Sequence, residues 1–231
     1  MFGRLSTVAA DEPTTTWREQ VVARSLDGAR ARAENRVQRY LDAALELMND
    51  SPSGKEFTVQ EVVERSGQSL RSFYQYFGGK HELLLALFEE SVRSTVDTLG
   101  KKVAQEHEPV ERLHRFVVEY CRMCRMSRKS ANPPMPPVMV DFAQQLLTGY
   151  PAEAAKAYTP LVRLFGDLLD EATGAGAIRP GIRRDPIAGI VLEAIMFSLF
   201  SSRIAGAGVQ SDGSDPAEEL WDFILNGVGL H

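Results

Sequence analysis

Apolar side chains recur at steps of three and four residues through most of the chain. The first clear stripe consists of Val37, Tyr40, Leu41, Ala44, Leu45 and Met48. This spacing places the side chains on one face of a helix. The stripe ends before the run Asn49 to Gly54, which is rich in turn-forming residues and predicts the end of that helix.

The same period continues downstream, so further helices are expected. Their approximate ranges are 80–99, 110–124, 138–148, 152–173, 185–205 and 216–228. Pro-rich residues 127–137 predict a loop, because proline disfavours helix at its own position and at the preceding one. Residues 1–28 have no lasting period and are expected to form a flexible arm. No strand is expected, so the prediction is an all-α fold of about nine helices.

Two short helices are predicted between the first helix and the one near residue 80. Thr58 and Glu61 have the spacing of a capping box, which starts a helix over about 58–65. Ser66-Gly67 is expected to end it, and Ser69 is suited to cap a second helix of about seven residues. Two short helices joined by a tight turn containing glycine predict a helix-turn-helix.

Composition narrows the function classes. The chain has 231 residues, 44% of them apolar, and a net charge of −5, which is typical of a soluble globular protein. Two cysteines cannot build a disulfide framework or a four-cysteine zinc site. Residues 1–20 have no apolar signal-peptide core, and the apolar run 187–200 is too short for a membrane span, so a cytoplasmic protein is expected.

An acidic chain can bind DNA only through a local basic patch. The segment from Arg65 to Lys80 contains no acidic residue. In a helix-turn-helix the second helix enters the major groove. Side chains expected at base edges are Ser69, Arg71, Ser72 and Gln75. Phosphate contacts are expected from Tyr74, Tyr76 and Lys80. Arg30, Arg32, Arg36 and Arg39 form a second cationic strip, which is either a DNA contact or a solvated helix face.

A run of residues that starts at Thr58 reads T-x-x-E-V-V-E-R-S-G-x-S-x-x-S-F-Y-x-Y-F-x-x-K-x-E-L-L. It resembles the DNA-binding segment of the TetR family of bacterial transcriptional regulators. Matching positions are Thr58, Val62, Gly67, Ser69, Ser72, Tyr74, Phe77, Lys80, Glu82 and Leu83. Arg71 and Tyr76 depart from the usual pattern, which affects the expected operator sequence. The resemblance implies a DNA-binding domain over 29–80, with Thr58 among its DNA contacts, and an effector-binding and dimerisation domain over 81–231.

The resemblance further implies a one-component regulator, expected to be a repressor, that binds operator double-stranded DNA as a homodimer. Two recognition helices must reach successive major grooves about 34 Å apart, so the last two helices would pair with their copies. The implied effector is a small apolar molecule of the lipid, acyl-thioester or drug kind. The alternative is an all-α lipid carrier or interaction adaptor that does not act through DNA.

Adaptable Met and aromatic side chains in the C-terminal half suggest where the effector would bind. The candidates are Phe116, Tyr120, Met123, Phe142, Phe165, Met196 and Phe197. The same residue types also build ordinary helical cores. Glu193 lies in an apolar stretch and would either pair with a cation, such as Arg163 or Arg203, or meet a ligand.

No enzyme activity, metal or cofactor is expected. Cys121 and Cys124 have the C-x-x-C spacing of redox and zinc sites, but they fall on the apolar stripe of a helix, where cysteine acts as a small apolar residue. His107 and His114 have no evident third ligand. No catalytic triad, phosphate-binding loop or carboxylate pair appears in the sequence.

Overall fold

The computed structural model describes residues 16–50, 56–125, 137–179, 181, 183–204 and 215–228. These residues form nine α-helices and no strand, which confirms the all-α prediction. The helices are α1 (Trp17–Asp50), α2 (Val59–Ser66), α3 (Leu70–Tyr76), α4 (Lys80–Val103), α5 (Pro109–Arg125), α6 (Pro137–Gly149), α7 (Pro151–Gly174), α8 (Arg184–Ile204) and α9 (Pro216–Val228).

Helix α1 begins at Trp17, inside the segment expected to be a flexible arm. The expectation was wrong for residues 17–28. This stretch is rich in good helix formers such as Ala, Arg and Glu, but its large apolar side chains are exposed and show no buried stripe. The helix was therefore not predicted, because the prediction relied on a stripe of buried apolar side chains. Residues 1–15 of the expected arm lie outside the described residues.

An aromatic cluster holds α1 and α3 together. Tyr40 of α1 is fully buried, and its ring meets Phe73 of α3 edge-on at 5.4 Å between centroids. Phe77, at the end of α3, packs against both rings. Aromatic pairs in this geometry add to the free energy gained by burial. The cluster fixes the orientation of α3 against α1.

Helix α4 connects the two ends of the molecule. It spans 24 residues, which is about 36 Å at 1.5 Å per residue. Its buried face runs from Leu83 to Val103 and packs against α1 near the start and against α5, α6 and α7 beyond it. Helix α5 continues the C-terminal core and packs against α7, α8 and α9.

Ion pairs and close packing secure the C-terminal helices. Arg184, at the start of α8, pairs with Asp167 and Asp170 of α7. A Cβ at Gly166 would lie 2.3 Å from the Arg184 Nε, so this position requires glycine if the arginine is to keep its place. Within the described residues, no helix is long and apolar enough to cross a membrane.

Candidate nucleic-acid interface

The capping box predicted at the start of α2 is present. The Thr58 hydroxyl accepts a hydrogen bond from the Glu61 amide at 3.2 Å, and the Glu61 carboxylate accepts from the Thr58 amide at 2.7 Å. Since the same hydroxyl also donates to the Glu61 carboxylate, Thr58 is occupied within its own helix. A DNA contact from Thr58 stays a prediction.

The turn between α2 and α3 has the geometry that its sequence predicts. Gly67 adopts φ +65°, a left-handed conformation that residues with a Cβ rarely adopt. Ser69 caps α3, because its hydroxyl accepts from the Ser72 amide at 3.1 Å. The Tyr40 hydroxyl donates to the Ser69 carbonyl at 3.1 Å. The turn is therefore held both by its own caps and by α1.

Helix α3 is amphipathic in the way that a recognition helix requires. Phe73 is buried on one face, whereas Arg71, Tyr74 and Gln75 are exposed on the other. Arg71 has no hydrogen-bonding or ionic partner among the described residues. An exposed arginine that is free of intramolecular pairing is available to bond a guanine edge.

Two of the remaining side chains predicted to contact DNA, Ser72 and Tyr76, are less exposed. Tyr76 is partly buried and packs against the core. Ser72 is also partly buried, and its hydroxyl has no hydrogen-bond partner in the described part of the chain. Ser69 lies exposed at the N-cap. The structure brings all these residues to one small unit, and their DNA roles stay predictions.

Lys80 lies at the N-terminus of α4 and already has intramolecular partners. Its ammonium is 2.9 Å from the Glu56 carboxylate and 4.8 Å from the ring centroid of Phe57. The hydrogen bond from Lys80 lowers the pKa of Glu56. A DNA phosphate would have to compete with Glu56 for this ammonium. Glu56 was not predicted from the sequence, because it lies 24 positions from Lys80, whereas neighbours on a helix are three or four positions apart.

The other cationic side chains of residues 29–80 differ in whether they pair with a carboxylate. Arg65 pairs with Asp50 at 2.9 Å and with Glu46 at 3.3 Å, which ties α2 to α1. Arg30 pairs with Glu34 one turn along α1. Arg32, Arg36 and Arg39 have no such carboxylate partner within the described ranges. The cationic strip on α1 is thus reduced to three unpaired arginines.

A helix-turn-helix held by this aromatic core has a counterpart among known protein families. The family model described as bacterial regulatory proteins, tetR family, matches residues 41–87. Residues 41–87 therefore have the sequence pattern of the N-terminal domain of that family. The match begins within α1, covers α2 and α3, and ends in the second turn of α4.

Solved structures of transcriptional regulators resemble more than four fifths of the chain. The fatty acid degradation regulator FadR from Bacillus halodurans has a TM-score of 0.60 at 15% identity, over 82% of this chain and 98% of that one. Thermus thermophilus FadR, a TetR-family repressor solved with lauroyl-CoA, has a TM-score of 0.60 at 21% identity, over 83% and 94%. RolR, solved with resorcinol, gives 0.64 at 15% identity, over 87% and 91%. No curated protein matches the sequence significantly.

These likenesses show that the chain shares its fold with the three structures. The shared fold extends from the helix-turn-helix into the C-terminal helices, for which the sequence predicted only a helical pattern.

Most residues predicted to bind an effector lie in the packed core of the C-terminal helices. Phe116 and Phe165 are fully buried, with ring centroids 4.9 Å apart, and Tyr120 packs beside Phe116 at 5.9 Å. Phe142 and Met196 are also buried, and Met123 is partly buried. The side chain of Phe197 lies outside the described residues. Glu193 is exposed on α8 rather than turned into the core.

Aromatic rings link the start of α4 to α6 and α7. His81 meets Phe142 edge-on at 5.4 Å, Phe142 meets Phe88 at 6.4 Å, and Phe88 meets Tyr158 at 5.2 Å. His81 also lies 2.7 Å from the Glu153 carboxylate of α7. Sequence reasoning missed this link, because the two residues are distant in the chain and neither belongs to a motif.

The two cysteines behave as apolar residues. Cys121 is buried, Cys124 is partly buried, and neither is in a disulfide. Burial raises the pKa of the Cys124 thiol to about 12, so this thiol stays protonated near neutral pH and is a poor nucleophile. No group of three or more potential metal ligands occurs in the parts of the chain that the structure describes.

Helices α8 and α9 present large apolar side chains to solvent in the single protomer. Phe223 of α9 is 76% exposed and Ile190 of α8 is 60% exposed. Trp221 and Ile224 of α9 are instead buried against the protomer core. Both helices therefore have one apolar face that the protomer covers and a second that it leaves open.

Proposed function

We propose that the protein is a homodimeric, ligand-responsive transcriptional repressor that binds operator double-stranded DNA. In this proposal residues 29–80 form the DNA-binding domain, and residues 81–231 bind the effector and the second copy. The observation that carries the proposal is the recognition helix α3. Its buried face is fixed by Phe73 and Tyr40, while Arg71, Tyr74 and Gln75 project from the other face.

The exposed face of α3 supports sequence-specific reading. Arg71 is expected to bond the O6 and N7 of one guanine, because a guanidinium matches that pair of acceptors. Tyr74 and Lys80 are expected to bind phosphates, which fixes the register of α3 in the groove. Ser69, Ser72, Gln75, Tyr76 and Thr58 complete the proposed contact set.

Dimerisation is supported by the open apolar faces of α8 and α9. A C2 dimer places the same surface of both copies in contact, so Phe223 and Ile190 would each meet apolar side chains of the other copy. A dimer is also what a two-half-site operator requires, because each recognition helix reaches only one major groove.

An effector of the acyl-thioester class is favoured by the C-terminal core and by the relatives. Two of the similar structures are named FadR: one is described as a fatty acid degradation regulator, and the other was solved with lauroyl-CoA. In this chain, the rings of Phe116, Tyr120 and Phe165 offer an apolar environment for an acyl chain.

The rival hypothesis is an all-α lipid carrier or adaptor that keeps the N-terminal unit only as packing. Such a protein has no reason to leave the exposed cations of α3 and α1 unpaired, whereas Arg65 of the same domain is fully engaged. The distribution of paired and unpaired cations therefore favours DNA binding.

An electrophoretic shift assay on the DNA that flanks the gene, with a scrambled duplex of equal length as control, tests the proposal. A dimer that neutralises 6 to 10 phosphates should lose about 10³- to 10⁵-fold affinity between 50 and 200 mM salt. Addition of a long-chain acyl-CoA, but not of free coenzyme A, should release the native duplex. Equal binding of both duplexes, or an affinity independent of salt, would favour the carrier or adaptor.

A further inference from the structure

A groove lies beside the recognition unit, between α1 and the turn that joins α2 to α3. Its volume is about 350 Å³, and its lining residues are Ala31, Arg32, Asn35, Arg36, Arg39 and Gln68. The five α1 residues share one face of the helix, since they follow each other at alternating steps of one and three. All five lie before the region that the family model matches.

The charge of this groove is entirely positive. Three of its six lining residues are arginines, none is acidic, and Glu34 on the neighbouring face of α1 is engaged with Arg30. Several guanidinium groups on one surface attract anions. The groove therefore has the composition of an oxyanion site, and arginine binds phosphate through paired N–H groups.

A buried polar group in the groove supports the same conclusion. The side-chain amide nitrogen of Gln68 is buried and has no hydrogen-bond partner among the described residues. A buried N–H without an acceptor destabilises a fold, so native structures rarely leave one unsatisfied. An oxygen atom bound in the groove would supply the missing acceptor.

The groove is also fixed in position relative to the recognition helix. Arg39 immediately precedes Tyr40, whose hydroxyl donates to the Ser69 carbonyl, and Gln68 immediately precedes Ser69. Both walls of the groove therefore end at the same hydrogen bond. An anion held here would lie at a constant offset from the bases that α3 reads.

We propose that this groove binds one phosphate group of the operator backbone, so that α1 extends the DNA contact beyond the helix-turn-helix. The inference rests on the proposed function and adds a specific phosphate site to it. Arg36, in the middle of the arginine row, provides the principal charge, and the Gln68 amide donates to a phosphate oxygen. The site contributes register and salt dependence and does not read sequence.

The test compares variants on the duplex that the wild-type protein shifts, with NaCl varied from 50 to 200 mM. Arg36→Gln should reduce the slope of log affinity against log salt by about one unit per protomer. The control is Arg93→Gln, which removes the same charge from an exposed position of α4 that pairs with Glu90. This control should leave the slope unchanged. If both variants keep the wild-type slope, the groove is not a phosphate site.

A second variant separates binding from folding. Gln68→Leu removes the unsatisfied amide at similar volume, so the thermal midpoint should stay the same or rise while DNA affinity falls. A lowered midpoint would show that the amide has a structural partner, and it would overturn the assignment of Gln68.

A methylphosphonate scan locates the phosphate itself. One uncharged phosphate per half-site should weaken binding by the wild-type protein and by Arg93→Gln, and should weaken binding by Arg36→Gln less. If no position behaves in this way, the groove proposal fails although the regulator still binds DNA. If the wild-type protein shifts no duplex at all, the proposed function fails as well, which distinguishes the two failures.

Discussion

The Tyr40 hydroxyl donates a 3.1 Å hydrogen bond to the backbone carbonyl of Ser69. Tyr40 belongs to α1 and is fully buried, whereas Ser69 is the N-cap of the recognition helix. The bond therefore joins the helix that carries Arg32, Arg36 and Arg39 to the N-cap of α3. It fixes the start of α3 against α1.

Tyr40→Phe tests this relationship. The variant keeps the edge-on contact with Phe73 but leaves the Ser69 carbonyl without this donor, so the free energy of unfolding should fall by about 0.5 to 1.5 kcal/mol. The matched control is Tyr74→Phe, whose hydroxyl is on a side chain that is 57% exposed. It should change stability by less than about 0.5 kcal/mol and weaken DNA binding instead. Denaturant unfolding of both variants measures the difference, and equal stability losses would refute the assigned role of Tyr40.

The recognition unit was predictable because its signals are local. The capping box at Thr58, the left-handed Gly67 and the Ser69 cap each follow from residues within four positions of one another, and all three are present. The Tyr40 bond and the Glu56–Lys80 pair join residues 29 and 24 positions apart. Such contacts depend on how the helices pack, which no local pattern specifies.

The C-terminal half was predictable only as a set of helices. Its stripes gave the number and approximate bounds of the helices, but Met and aromatic residues serve equally as core and as ligand site. Glu193 illustrates the limit, since its apolar neighbours in sequence suggested a buried charge and the helix turns it to the surface. The start of α1 was missed for the converse reason, because residues 17–28 form a helix that buries little.

Arg71 is expected to read one base pair. Arg71→Ala should cost about 1 to 3 kcal/mol at one operator position and relax discrimination there. Its effect on folding should be small, since Arg71 is exposed and makes no ion pair within the described residues. Selection from a randomised duplex library, before and after the substitution, measures the preference at each position. An unchanged preference at every position would contradict the role.

Substitutions at Glu56 and at Lys80 should change the affinity for DNA in opposite directions. Lys80→Ala should weaken binding to all duplexes alike and lower the salt slope by about one unit per protomer. Glu56→Gln removes the carboxylate that competes for the Lys80 ammonium, so it should strengthen binding to all duplexes. Fluorescence anisotropy on a specific and a scrambled duplex checks both. A sequence-selective loss for Lys80→Ala would instead place Lys80 at a base.

The exposed apolar face of α9 should be part of the dimer interface. Phe223→Glu should weaken dimerisation by at least about 2 kcal/mol, because aromatic anchors dominate such interfaces. The control Leu147→Glu alters another exposed apolar residue, on α6, and should leave the dimer intact. Sedimentation velocity measures the state of each variant. If Phe223→Glu remains as dimeric as the control, the copies pair through another surface.

Helix α4 should transmit the effector signal to the DNA. Lys80 lies at one end, and Val92 and Leu99 enter the C-terminal core toward the other. A ligand that displaces the far end would swing the near end of a rigid helix and change the separation of the two recognition helices. A coupling free energy of about 1 to 3 kcal/mol would change operator affinity 5- to 150-fold.

Glycine at Ser94 and Asp97, both exposed on α4, should loosen this connection at a cost of about 1 kcal/mol each. The double variant with alanine at the same two positions removes the same side chains but keeps the helix stiff, so it is the matched control. Binding of a long-chain acyl-CoA and of operator DNA should survive separately in both variants. Release of DNA by the acyl-CoA should weaken only in the glycine variant, and full release there would show that α4 is not the route.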